Sequence, residues 1–229
     1  MPILASIGAG SARGFGEGAG VSVSAEFDYL VIAGGGAAFG SIAGGGGAGG
    51  YRTSFPGGTK IELSGGDTIT VGAGGARTIT SPTQAGILAG KGVDSVAGDI
   101  TSAGGGTQNG DTAYGAPNAS PENYAVRSGG SGAGGGHQYS WPVGAGNVPP
   151  TSPPQGAAGT ANTGGGGGGG SGDSPSPGPT NNGGSGIVVL RLPTSDAPAG
   201  IGASPGSNTV STSGSDTIVT FNVTGTLEL

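Results

Sequence analysis

The chain is predicted to be all-β: a small β-sandwich scaffold carrying polyglycine-II-like glycine-rich segments and long loops, with no substantial helix. Three observations predict this. Glycine and proline number 59 and 16 of 229 residues, so the residues that interrupt helices make up about a third of the chain. Two short runs near opposite ends, 26–33 (EFDYLVIA) and 186–192 (GIVVLRL), combine β-branched, aromatic and aliphatic residues as buried strands do. Between them lie dense glycine runs: ten of the seventeen residues 34–50, six of the eight residues 129–136, and all of 164–170.

Taken in order, residues 1–25 are small and apolar and end in Val21-Ser22-Val23-Ser24, an alternation that reads as an arm able to form a strand. The glycine-rich β domain occupies 26–192. The runs 26–33 and 186–192 are apolar on both faces apart from Arg191, so they are expected to pair at the centre of one sheet. Thr59–Leu63 and Asp67–Val71 flank Ser64-Gly65-Gly66 and predict a hairpin. Weaker strand signals cover 77–80 and 95–101. A proline-containing linker is expected at 193–207. Residues 208–229 would then form a small sheet of their own, with Val219, Phe221 and Val223 on one face and Leu227 and Leu229 continuing it.

The glycine runs admit three readings. Composition alone favours flexible linkers, and a collagen helix fails because glycine does not recur every third residue. The third is a bundle of polyglycine helices that rise about 3.1 Å per residue and hydrogen-bond laterally. Charged residues are only 9% of the chain and the net charge is −6, so the high-charge signature of disorder is missing. Ordering glycine is entropically expensive, and without side chains the compensation has to come from backbone hydrogen bonds, close backbone packing and neighbouring chains.

Most chemistry is excluded. The glycines after Leu30-Val31-Ile32-Ala33 do not fit a dinucleotide fingerprint, because Phe39 or Ala37 falls where glycine is needed and 40–50 cannot form the following helix. Gly90-Lys91-Gly92 lacks the spacing and hydroxyl of a phosphate loop. The lone histidine, His137, cannot build a multi-histidine metal site, and there is no cysteine. Glu26 and Asp28 are the closest carboxylates and are expected to be solvated. No cofactor, no metal site and no catalytic residue is expected, and the chain is read as a non-enzyme. Seven dispersed Lys and Arg residues give no stripe for nucleic acid. No stretch is long enough to insert into a membrane as a helix, and no basic region marks a signal peptide.

Recognition is suggested by where the aromatics fall. Tyr114, Tyr124, Arg127, His137, Tyr139 and the only tryptophan, Trp141, lie in two polar insertions, 107–128 and 137–155. Planar amphipathic side chains on loops offer contact area at low entropic cost; the same rings could instead lie flat over glycine strands as their cover. In the arm, Ile3, Leu4, Ile7 and Phe15 are apolar but too few to form a core, so they are expected to dock on another chain.

The order Asp28–Gly36, Gly44–Arg52, Thr70–Gly75, Ala103–Gly106 and Gly184–Arg191 resembles the glycine-rich domain of tailed-bacteriophage tail-fibre and adhesin proteins, over about 26–192. That resemblance implies parallel polyglycine helices stacked in a sandwich, with distal loops that touch the bacterial surface. The expected function is that of a virion structural protein exposed on the particle surface, acting as a fibre or adhesin for host attachment; a capsid decoration protein that cements the head is the alternative. Its expected partners are other virion proteins, further copies of itself, most simply as a homotrimer, and a host surface glycan or protein.

Overall fold

The computed structural model describes residues 23–38, 45–79, 87–107, 157–168 and 182–229. Among them there is no α-helix; a single 3₁₀ turn at Thr194–Asp196 is the nearest approach. Thirteen strands are present among the described residues: β1 (Ser24–Ile32), β2 (Tyr51–Thr53), β3 (Ile61–Ser64), β4 (Thr68–Ile69), β5 (Arg77–Ile79), β6 (Ile87–Ala89), β7 (Ser95–Ala97), β8 (Ile100–Ser102), β9 (Ile187–Pro193), β10 (Gly202–Ser204), β11 (Thr209–Ser213), β12 (Asp216–Phe221) and β13 (Gly225–Glu228).

The main sheet runs β11-β12-β9-β1-β2, with β3 also on β1, and a second sheet runs β10-β13-β4. As expected, β1 and β9 pair, antiparallel, from Asp28 opposite Arg191 to Ile32 opposite Ile187. Alternation then sorts the side chains, since neighbours along a strand point to opposite faces. Phe27 and Val31 of β1, Val188, Leu190 and Leu192 of β9, and Val219 and Phe221 of β12 are buried against Leu63, Ile69 and Leu227. Each such aliphatic or aromatic burial is worth about 1.5–3 kcal/mol, and this apolar block is the foot on which the rest of the domain stands.

Four expectations need correction. Ser64-Gly65-Gly66 does turn the chain, with the Asp67 N–H donating to the Ser64 carbonyl, but β3 then pairs with β1 and β4 with β13. The turn is a corner between two sheets, not a hairpin. The C-terminal strands are not a separate sheet, because β12 adds to β9 along six residues and β13 joins β10 and β4. Their apolar faces complete the sandwich, and the supposed linker contributes β10. Val223 lies beyond the end of β12 and is exposed, so it does not share the buried face of Val219 and Phe221.

Lastly, Asp28 is not simply solvated. Its carboxylate accepts from Arg191 at 3.2 Å and from the Ser54 hydroxyl at 3.1 Å, while the other guanidinium nitrogen lies 3.4 Å from Asp216. Phe55 stacks over that guanidinium at 4.0 Å. The one charge on β9 is thus tied to both neighbouring strands.

Candidate functional site

Above the sandwich the strands run on into glycine. β1 continues into 33–38, and successive N–H groups there bond to different neighbours: Ala33 to Gly50, Gly34 to Val93, Gly35 to Gly184, Gly36 to Gly47 and Ala37 to Gly90, all at 2.8–3.0 Å. The partner segment recurs every third residue, which is the signature of a threefold polyglycine helix. The carbonyls of Gly34, Gly35 and Gly36 accept from Gly105, Gly75 and Gly167 in the same rotation. Residues 33–38 therefore donate to three segments (45–50, 90–94, 182–186) and accept from three others (103–107, 72–76, 164–168).

Those six close a ring. Gly47 and Gly50 bond to Gly106 and Ala103, Gly92 to Gly105, Gly90 and Val93 to Ala76 and Ala73, Gly183 and Gly186 to Gly75 and Gly72, Gly184 to Gly165, and Gly46 and Gly49 to Gly167 and Gly164. Falling residue numbers against rising ones make ring neighbours antiparallel. The ring thus alternates in direction around the central segment, which is wholly buried. Chains this close leave no room inside: a Cβ on Gly34, Gly35 or Gly36 would collide with the backbone of 72–76, 164–168 or 103–107 respectively. The side chains buried within the segments are alanines, Ala33, Ala37, Ala38 and Ala48, and outward residues recur at threes: Ala73 and Ala76, Lys91 and Asp94, Asn182 and Ser185. Lys91 and Asp94, one threefold turn apart, form a salt bridge at 3.6 Å.

Side chains fasten the bundle to its foot. The fully buried Ser95 hydroxyl accepts from the Gly72 N–H and donates to the Ile32 carbonyl, both at 2.8 Å. At the opposite end the Asn182 side chain accepts from the Arg77 N–H at 2.8 Å, and the Thr107 hydroxyl donates to the Ala37 carbonyl at 3.0 Å. Arg77 Nε is buried without a hydrogen-bond partner among the described residues.

This topology gives the bundle two unlike ends. β1, β2, β4, β7, β8 and β9 join it at the foot. At the far end 33–38, 72–76, 103–107 and 164–168 run outward, and the chain returns through 45–50, 90–94, 157–160 and 182–186. At about 3.1 Å per residue, a six-residue segment separates the two ends by roughly 15–20 Å. The connection that leaves after Thr107 and returns at Ala157 contains Tyr114, Tyr124, Arg127, His137, Tyr139 and Trp141. All six lie outside the described residues, as do Ile3, Leu4, Ile7 and Phe15 of the arm. The structure thus fixes where the aromatic insertion is rooted: at the far end of the bundle, where Thr107 bonds to Ala37 and the Ala157 carbonyl accepts from Gly168.

Comparison of the chain with protein-family models, with curated proteins and with solved structures finds no match. Among the described residues no group of His, Asp or Glu is placed to hold a metal ion, and the Asp28–Arg191–Asp216 cluster is satisfied within itself. The glycines that might have opened a nucleotide site, Gly34, Gly35 and Gly36, belong to the central segment of the bundle. One feature was open to sequence reasoning and missed. The spacing of three between the non-glycine residues of 72–76 and of 182–186, and between Lys91 and Asp94, marks the outward face of a threefold helix.

Proposed function

We propose that this chain is a bacteriophage virion surface protein that acts as a fibre or adhesin, its glycine bundle serving as a rigid stalk that presents the 108–156 connection to the host surface. One observation carries the reading: the connection holding three tyrosines, an arginine, the histidine and the only tryptophan is rooted at the end of the bundle opposite the sandwich. A hexagonally packed backbone resists bending because every segment is tied laterally to its neighbours. Binding loops on such a support lose less conformational freedom on contact than loops on a flexible tether. The sandwich end would face the particle, because the arm of 1–25 runs into β1 there. A head-decoration role is the second reading, favoured by the open sheet edge at β11, which suits contact between copies.

The test replaces Trp141 by Ala and measures both host adsorption and thermal unfolding. An aromatic anchor at a binding hot spot is worth about 2 kcal/mol or more, roughly 30-fold in affinity, so adsorption should fall with the melting temperature unchanged. Normal adsorption with a lowered melting temperature would instead make these rings cover for the bundle. Labelling the chain on particles separates tail from head.

A further inference from the structure

The main sheet ends at β11, and no strand among the described residues pairs with its outer edge. All five residues, Thr209-Val210-Ser211-Thr212-Ser213, are exposed, Val210 by 40%. None is charged or proline, so the strand lacks the residues that ordinarily keep edges from pairing. Its opposite number, β2, has only three residues and carries Arg52.

The direction of the free backbone groups follows from the hairpin. Ser213 pairs with Asp216 across the two-residue turn Gly214-Ser215, and Gly214 has a φ of 61°, which fits glycine at the first central position of a tight hairpin turn. In such a hairpin the closing pair is hydrogen-bonded and the pattern alternates from it. Ser213, Ser211 and Thr209 therefore bond to β12, and the N–H and C=O groups of Val210 and Thr212 point away from the sheet. Among the described residues neither makes a backbone bond to a turn or loop.

We infer that two copies of this protein pair through β11, antiparallel and centred on Ser211, to form one continuous sheet across a twofold axis. In this register Val210 lies opposite Thr212 of the second copy and Thr212 opposite its Val210, so the outward backbone groups meet as hydrogen-bonded pairs. Ser211 meets its equivalent as the non-hydrogen-bonded pair between them. Every facing pair is β-branched or hydroxylic and none brings like charges together, which are the favourable combinations across strands. A displacement by one residue would bring the outward groups of one strand against the inward-bonded groups of the other. Such a contact is isologous and closes at two copies, where three were expected from the sequence.

Sedimentation velocity over a range of concentrations tests this with the full chain. The unsubstituted protein should show a monomer–dimer equilibrium. Combining Val210→Lys with Thr212→Lys places like charges opposite one another in both facing pairs and should weaken dimerisation by about tenfold. The melting temperature of the monomer should not change, since neither side chain is in the core. Combining Val210→Glu with Thr212→Lys puts opposite charges in the same pairs and should restore the dimer, now in a form that high salt weakens. A chain that stays monomeric at every concentration, or a dimer untouched by the two lysines, overturns the inference. So does a Glu/Lys variant that dissociates as readily as the Lys/Lys one.

Discussion

Replacing Gly36 by Ala tests the bundle at its centre. Its N–H donates to Gly47 at 2.8 Å and its carbonyl accepts from Gly167 at 3.0 Å. An added Cβ would lie 2.7 Å from the Gly106 carbonyl carbon and 2.9 Å from the Gly105 oxygen, and closer still to the Gly106 oxygen. Ordinary contact begins near 3.4 Å, so the Gly106 carbonyl has to retreat by more than an ångström. That retreat loosens the bonds Gly47 to Gly106 and Gly105 to Gly34. Overpacking costs about 1–3 kcal/mol, and each weakened backbone bond forfeits up to roughly 0.5–1.5 kcal/mol. Against this, Gly36 is not among the glycines with positive φ, so alanine meets no torsional penalty and gains about 0.4–1 kcal/mol from the stiffer unfolded chain. The balance is a loss of about 3 kcal/mol, which in a protein of this size lowers the melting temperature by roughly 6–12 °C. Thermal and urea unfolding measure it, with Ala76→Ser, at an exposed outward position, as a control expected to stay within about 0.5 kcal/mol. A Gly36→Ala protein as stable as the original, or an Ala76→Ser protein equally damaged, would refute the threefold packing.

Further outcomes are expected elsewhere. Ser95→Ala leaves the buried Gly72 N–H without its acceptor and should cost about 1–3 kcal/mol, read by urea unfolding. Arg191→Met removes the cation shared by Asp28 and Asp216 in a half-buried setting and should cost about 1–2 kcal/mol, with a smaller dependence of stability on salt than the original protein shows. Exchanging 108–156 for a Gly/Ser linker of about ten residues should abolish host adsorption and leave the unfolding transition of the scaffold in place; retained adsorption would move recognition elsewhere. Deleting residues 2–24 should reduce incorporation into particles, and undiminished incorporation would remove the arm from the docking role.

The foot of the molecule was readable because its strands are self-describing. Leu30-Val31-Ile32 and Val188-Val189-Leu190 carry enough apolar and β-branched residues to demand a central place, and only each other's company satisfies both. The C-terminal strands are legible as strands for the same reason, but the sheet they join is not. Nothing in Thr217 to Phe221 names the strand it will lie beside, and the vacant side of β9 was not visible along the chain. Gly65-Gly66 likewise announced a turn without saying whether its strands would face each other or part into two sheets.

For the bundle, the division falls on different ground. Glycine content alone established that side chains could not hold 33–38, 45–50 or 164–168 in place, so that lateral backbone bonding was the available means. The spacing of three at Ala73 and Ala76, Lys91 and Asp94, and Asn182 and Ser185 carried the helical symmetry in the residues themselves. Which segment occupies the centre, and which six surround it in what order, was decided only in three dimensions. Glycines carry no side chains by which one segment could recognise another, so the arrangement is imposed from below. The pairing of β1 with β9, the turn from β7 to β8 and the Ser95 tether fix where each segment leaves the sandwich, and the hydrogen bonds of the ring follow from those starting points.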